Sequence, residues 1–375
     1  MSQDHRRTSV VVLAVGLVAF ATLAALLVPW DPVPGELDPP SAEAVFSVEQ
    51  IARAEAFSRL ARVWSWSSLA MSLVATCWLG FSALGPRLVR RLPGPWWLQV
   101  VLAVAAVGVG VRLLTLPLGL LAHRHVVDYG LSTQSSAAYL VDVVKGEAIG
   151  TGTTALAVLL VVACARRWRR AWPAVAGGAL GVLVLAGSWV YPIAIEPVFN
   201  DFEPLPAGSL RTAILDLADR QGVEVDGVLV ADASRRTTTL NAYVSGLGST
   251  RRVVVYDNLV EDLPQDQALS VVAHEFAHAK HRDVLVGSTL GVAGVVFGVG
   301  LLGVVVSGVG RRRGVALGEP AAVPLVLALV AVGSFLASPV QSTISRQVEA
   351  RADVSSLRAT GDEGSFVTMQ TQLAT

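Results

Sequence analysis

Two histidines and a glutamate fall within five residues, His274-Glu275-Phe276-Ala277-His278. On an α-helix, residues four apart lie one above the other on the same face. His274 and His278 can therefore share one metal ion. Glu275 then lies where it can take a proton from a water that the metal polarises, which is the chemistry of the H-E-x-x-H pattern in zinc hydrolases. Small Ala273 and Ala277 and apolar Val271, Val272 and Phe276 surround these polar groups, so the helix reads as buried. Buried imidazoles and carboxylates are costly unless partnered, and a metal would partner them. The alternative is an ordinary amphipathic helix that carries the pattern by chance.

A catalytic zinc site has three protein ligands and an open position, so a third ligand must come from elsewhere. The best candidate is Glu349, in the stretch Ser345-Arg346-Gln347-Val348-Glu349-Ala350-Arg351-Ala352-Asp353. Asp353 is one helical turn further on and can accept a hydrogen bond from the free ring N–H of a ligand histidine. The bland alternative for Glu349 is a solvated carboxylate paired with Arg346 or Arg351 at helical spacing. The extended pattern with a third histidine in the same helix needs glycine at 281 and histidine at 284, where the chain has His281 and Val284. His281 lies about 10 Å of helical rise from His274, too far to share its ion, and reads as an ordinary surface histidine sooner than as an exit-side residue or one placed behind a ligand.

What must position these residues is mostly membrane helix. Hydrophobic residues make up 53% of the 375-residue chain and charged ones only 15%, with a mean hydropathy of +0.57. That balance points to a membrane protein. The formal net charge is zero, which gives no basis for a nucleic-acid partner. Cys77 and Cys164 both sit in apolar runs and offer neither a disulfide framework nor a thiolate metal site.

A helix crosses a bilayer in about 20 residues. Seven apolar stretches approach or exceed that length, near 9–29, 65–85, 97–121, 149–165, 173–193, 287–309 and 321–341, the fourth being the shortest. The first reads as an anchor, because Leu27-Val28-Pro29-Trp30 offers no small-x-small cleavage site. Arg6 and Arg7, then Arg87, Arg90 and Arg91, then Arg166, Arg167, Arg169 and Arg170, then Arg311 to Arg313 place twelve basic residues on one side. The opposite short loops, 30–64 and 122–148, hold five: Arg53, Arg59, Arg62, Arg124 and Lys145. The positive-inside rule then puts the N-terminus in the cytoplasm of a multi-pass cell-membrane protein and the long polar segment outside. Two crossings separate that segment from the region after the seventh stretch, so Glu349 returns to the side of His274.

The only long polar segment, about 194–286, reads as a small α+β unit. Leu210 to Leu217 has helical spacing and stops at Asp219-Arg220-Gln221-Gly222. Val223 to Val230 and Arg252 to Tyr256 read as strands, with Asn241 to Gly246 as a third. Pro264 opens the helix that carries the metal motif to about Asp283. The expected division is 1–193 for five spans and their loops, 194–286 for the metal segment, 287–341 for two spans, and 342–375 for a helix with the third ligand. Arg112 lies about 15 residues into the third stretch, a depth that favours a wet interior or cavity over the alternative of snorkelling to an interface.

Several ordered stretches resemble the type I CaaX prenyl proteases and the HtpX-like membrane zinc metalloproteases. They are Tyr191-Pro192, Glu196-Pro197-Val198-Phe199, Pro204 to Leu210, Ser234-Arg235-Arg236 with Asn241-Ala242-Tyr243, Arg251 to Leu259, the His274 motif, and Glu349 with Asp353. The resemblance covers about 190–357 well and the first five spans only in number and placement. It implies a mainly α membrane protein in which seven transmembrane helices enclose a cavity, closed by a small zincin-like α+β catalytic domain. It implies one zinc ion on His274, His278 and Glu349, with Glu275 as general base and Asp353 behind a ligand. It also implies that Asn241, Ala242 and Tyr243 begin an edge strand that pairs with substrate backbone, with Asn241 and Tyr243 either lending polar groups to the cleaved carbonyl or simply packing.

Two features depart from the family. Its members carry the metal domain on the cytoplasmic side, opposite to what the arginines here imply. They also carry a His-Pro segment followed by arginine, which either lies beyond Thr375 or is missing. The function expected is zinc-dependent endopeptidase action on hydrophobic, membrane-associated or lipidated (CaaX-like) polypeptides. The competing readings are a membrane scaffold or chaperone with a structural zinc, and a transporter, which would leave the metal motif unexplained.

Overall fold

The computed structural model describes residues 3–35, 40–246, 248 and 251–374. Its N-terminal half is helical: α1 (Gln3–Leu27), the short α2 (Ala42–Val45), α3 (Val48–Phe81), the short α4 (Leu84–Val89), α5 (Trp96–Asp128), α6 (Ser136–Arg167) and α7 (Trp172–Val190). A π-turn, Tyr191–Ile195, leads into α8 (Glu196–Phe199). The polar segment then folds as β1 (Phe202–Pro204), α9 (Ser209–Gln221), β2 (Gly227–Ala231), β3 (Ala242–Ser245), β4 (Arg252–Tyr256), α10 (Asp257–Asp262) and α11 (Gln265–His281). Two long helices, α12 (Asp283–Arg313) and α13 (Val323–Thr360), and a final α14 (Glu363–Ala374) complete it.

Among the described residues, six helices are long and apolar enough to cross a membrane. The expected span not among them, the second at 65–85, falls mostly in α3, whose 34 residues are ample in length. Trp64, Trp66, Ser65, Ser67 and Ser68 dilute its hydropathy. The fourth stretch, which looks short in sequence, is the apolar half of the 32-residue α6. Hydropathy detects only the part of a helix bathed in hydrocarbon, whereas α6 begins well outside it, where the Ser135 hydroxyl accepts from the Ala138 N–H at 3.2 Å.

The long helices form a ring in the order α12, α7, α6, α5, α3, α13, each packed on the next, with α1 laid against α12 and α7 from outside. The ring is hollow. Residues 333–342 of α13 are exposed on every side of the helix, so one face meets lipid and the opposite face meets an internal space. The accessible surface is 20070 Å², against about 14,000 Å² for a compact monomer of this mass. A 440 Å³ cavity between α3 and α13 is lined by Trp66, Ser72, Thr76, Ser334, Phe335 and Ser338. Its hydroxyls belong on a wet wall, because unpaired polar groups are expensive against hydrocarbon.

The sheet domain closes one end. Strand order is β1-β2-β4-β3. β2 and β4 are parallel, while β1 and β3 run antiparallel to β2 and β4 respectively. Val228, Val253 and Val255 pack under α9 and α11, where Ile214, Leu217, Val272 and Phe276 are fully enclosed. Gly222, with φ of 69°, ends α9 in the left-handed conformation that glycine adopts without strain. β1 has no signature in the sequence, being three residues long and ending in proline. The domain is stitched to the bundle through the α5–α6 loop: Ser132 Oγ donates to Arg236 O at 2.7 Å, and Thr238 Oγ1 to Gly130 O at 2.9 Å.

Packing of α1 on α12 depends on glycine. A Cβ added at Gly300 would lie 2.3 Å from Leu13 N, and one at Gly16 would lie 2.3 Å from Phe297 N. Small residues let membrane helices approach backbone to backbone. Gly300→Ala is expected to destabilise the protein by about 1–3 kcal/mol. Gly298→Ala, where a Cβ meets nothing within 4 Å, is expected to be neutral. Thermal unfolding of the two purified variants beside the wild type measures this.

Candidate metal centre

Helix α11 follows Pro264, which occupies its N-cap position. One side of the helix, with Val272, Ala273, Phe276 and Ala277, is enclosed in the domain core, which turns the other side with His274 and His278 toward α13. The helix stops at Arg282, a non-glycine residue in the left-handed region at φ 57°. Its N–H reaches back to Ala279 O at 3.2 Å. The chain turns sharply there and begins α12 at Asp283, so that the Asp283 carboxylate returns to His278.

The imidazoles converge. His274 Nε2 and His278 Nε2 lie 3.1 Å apart. Glu349 Oε2, carried in by α13, is 3.3 Å from the first and 3.6 Å from the second. Zinc bonds of about 2.0–2.2 Å set tetrahedral ligand atoms about 3.3–3.5 Å apart. These three atoms therefore outline one face of a zinc-sized tetrahedron, and the donor set fits that ion. Glu349 is 55% exposed and closes the group from a cleft of about 530 Å³ lined by Ser342, Ser345, Arg346 and Asp353.

Each histidine is held from behind. His274 Nδ1 meets Asp353 Oδ1 at 2.9 Å, and His278 Nδ1 meets Asp283 Oδ2 at 2.9 Å. A carboxylate on Nδ1 places the ring proton there and leaves the Nε2 lone pair for a metal. Asp283 is only 10% exposed, and Arg351 pairs with its other oxygen. Arg351 stands between Glu349 and Asp353 on α13, so three helices are tied at one point. Ser356 Oγ adds a bond to Ser270 O at 3.0 Å.

Electrostatics set Glu275 apart from an ordinary surface carboxylate. Burial pushes its pKa up, the neighbouring His278 and His274 pull it down, and Glu349 adds a further upward push; the net is upward. For His274, burial works downward, but the Asp353 hydrogen bond and the charges of Glu275, Asp353 and Glu349 outweigh it, leaving the pKa raised.

The structure thus brings His274, Glu275, His278, Glu349 and Asp353 together. Asn241, Ala242 and Tyr243 lie in and just before β3, packed beside α11. The Tyr243 hydroxyl is 3.5 Å from Glu196 Oε2, so it is directed there rather than at the histidines. Arg112 is apart from the cluster, with Nε 2.9 Å from Glu147 Oε2 across α5 and α6. His281 Nε2 sits 3.1 Å from Ser355 Oγ and takes no part. Sequence reasoning misses Asp283 and Arg351, because only the left-handed break at Arg282 brings Asp283 under His278. Its one signal is a carboxylate at the first turn of an apolar span, where a charge needs a reason.

Residues 204–374 match the family model described as Peptidase family M48, and residues 33–201 match the one described as CAAX prenyl protease N-terminal, five membrane helices. Residues 204–374, which carry the metal centre, are thus matched to peptidase family M48. A Bacillus subtilis protein named Uncharacterized metalloprotease YhfN is 32% identical over 267 residues, 68% of this chain and 62% of that protein. The Dictyostelium discoideum CAAX prenyl protease 1 homolog is 41% identical over 108 residues, 28% of this chain and 25% of that protein. The chain thus spans less than two thirds of the length of these relatives. The crystal structure of S. mikatae Ste24p superposes with a TM-score of 0.77 at 20% identity, covering 98% of this chain and 93% of that one, which establishes the shared fold.

Asp283→Asn is expected to weaken zinc binding about 10–100-fold, as loss of a histidine-orienting carboxylate does. Chelator competition on the purified protein measures it. Asp216→Asn, an exposed site on α9, should leave the affinity unchanged.

Proposed function

We propose that this protein is a membrane-embedded zinc endopeptidase acting on hydrophobic, membrane-associated or lipidated polypeptides, CaaX-like ones among them. The observation that carries the reading is the triangle of His274 Nε2, His278 Nε2 and Glu349 Oε2 with Glu275 beside it. When bound there, zinc polarises a water and the scissile carbonyl.

Glu275, buried and less acidic than a surface carboxylate, takes a proton from the attacking water as its oxygen bonds to the carbonyl carbon. The same residue returns a proton to the leaving nitrogen as the C–N bond breaks. Asp353 and Asp283 hold the two imidazoles in register throughout. β3 is an edge strand beside α11, so an extended peptide can add to the sheet through main-chain bonds, a mode that tolerates many side chains. The hollow with its hydroxyl-lined wall suits a substrate drawn from the bilayer. Arg112, paired with Glu147, stands as part of that polar interior.

A structural zinc in a scaffold would require a closed site with four protein ligands. Among the described residues the cluster has three, which favours catalysis.

The metal domain faces away from the cytoplasm in this reading. Arg90 Nη2 reaches Gly314 O at 3.5 Å and Arg166 Nη1 reaches Gly318 O at 2.8 Å, which gathers the arginine-rich loops at the end of the bundle away from the sheet. Positive loops stay inside.

Two measurements test the proposal. Glu275→Gln is expected to lower hydrolysis of a fluorescence-quenched apolar peptide by about 10²–10⁴-fold while bound zinc stays at the wild-type level; retained turnover would reject the mechanism. In a background lacking Cys77 and Cys164, Glu224→Cys should react with an impermeant maleimide in intact cells, and Arg169→Cys only after permeabilisation. The reverse pattern would invert the orientation.

A further inference from the structure

Among the described residues β3 has one neighbour, β4, and the bond from Tyr256 N to Asn241 O at 3.0 Å sets the phase of their pairing. In an antiparallel pair, residues alternate between those bonded to the neighbouring strand and those turned away from it. Asn241, Tyr243 and Ser245 are opposite Tyr256, Val254 and Arg252 and face β4. Ala242 and Val244 therefore aim their N–H and C=O groups at the open edge. Asn241 Oδ1 accepts the Ala242 N–H at 2.9 Å.

Side chains alternate as well. Ala242 is buried in the core beneath α11, while Tyr243 and Ser245 project from the opposite face. Both meet a single group there. The Ser245 hydroxyl lies 3.1 and 3.0 Å from the two carboxylate oxygens of Glu196, and the Tyr243 hydroxyl 3.5 Å from one of them. Glu196 opens α8 directly after the π-turn that ends the α7 span. The same short helix anchors the approach to the strand: Arg235 donates to Phe199 O, and Arg236 reaches Asn200 Oδ1. A four-residue edge strand followed by Gly246 at φ 89° has little of its own to hold its position, since edge strands with weak patterning slip.

We propose that Glu196 is a positioning residue for peptide binding: one carboxylate grips two alternate hydroxyls of β3 and holds the outward main-chain groups of Ala242 and Val244 at a fixed height beside the metal centre. This rests on the reading of β3 as the strand that pairs with substrate. The ligand is an extended polypeptide main chain, and the Asn241 amide yields the Ala242 N–H to it. Glu196 ties that strand to the end of a membrane helix, so a shift of α7 moves the peptide relative to the metal.

The test uses zinc-loaded full-length protein and two probes, a tripeptidyl hydroxamate that reaches both metal and strand, and acetohydroxamate that reaches the metal alone. Glu196→Ala is expected to weaken the tripeptidyl probe about tenfold, the worth of one or two lost hydrogen bonds, with acetohydroxamate affinity and zinc content unchanged. Glu196→Gln, which keeps an oxygen to accept the Ser245 hydroxyl, should recover most of the loss. Equal weakening of both probes, or loss of zinc, would show that Glu196 merely supports the fold and overturn the proposal. An unchanged tripeptidyl affinity would overturn it too. N-methylation of the tripeptidyl probe, tested on the wild type, separates the underlying reading: if no methylated position weakens binding, β3 does not pair with peptide, and the Glu196 proposal falls with it while the zinc chemistry stands.

Discussion

The structure depends on one constraint: two largely buried imidazoles must aim their Nε2 atoms at a single point. An unpartnered buried imidazole costs free energy and rotates, so each ring needs an acceptor on Nδ1 and a rigid support. Here the acceptors come from different helices, Asp353 from α13 and Asp283 from the first turn of α12. Glu349 and Arg351 come from α13 as well. The metal centre is therefore a joint between the domain helix α11 and the last two membrane helices, and its geometry can be no better than their packing.

That joint explains the length of α13. The helix runs unbroken from its buried start at Val323 through the span and on to Glu349 and Asp353. A continuous helix transmits position without the slack of a loop. Arg282 has the opposite role. Its left-handed backbone breaks α11 from α12 in a single residue, so that one helix lies in the domain, the next enters the membrane, and Asp283 is left at the corner. The strain of a non-glycine residue there, of order 1 kcal/mol, is offset by the Asp283 contacts to His278 and Arg351.

The bundle and the domain solve different solvent problems. Lipid-facing helices need apolar exteriors, and those around the hollow also need polar interiors, which gives α3 its tryptophans and serines and α13 its exposed stretch. The sheet domain buries a conventional aliphatic core under α9 and α11, and its free edge at β3 is kept in order by polar contacts from α8. Membrane fold and site chemistry meet in a few residues, Glu196, Arg236, Asp283 and Arg351, each bridging the two parts.

Much of this is local and was legible in the chain. The H-E-x-x-H spacing places two rings on one helical face through backbone geometry alone. Two apolar spans returning Glu349 to the same side is a matter of counting crossings. Hydropathy marked most of the spans, and valine-rich runs marked β2 and β4. Long-range contacts decided the rest. β1 exists only because β2 offers it a partner. α3 spans because it lines a wet hollow, which makes its hydropathy low. Asp283 reaches His278 because Arg282 adopts a conformation that sequence does not announce, and Tyr243 turns to Glu196 because an edge strand's two faces are assigned by what packs against each. Spacing along a helix is determined by the chain itself; which carboxylate stands behind which imidazole is determined by how the helices cross.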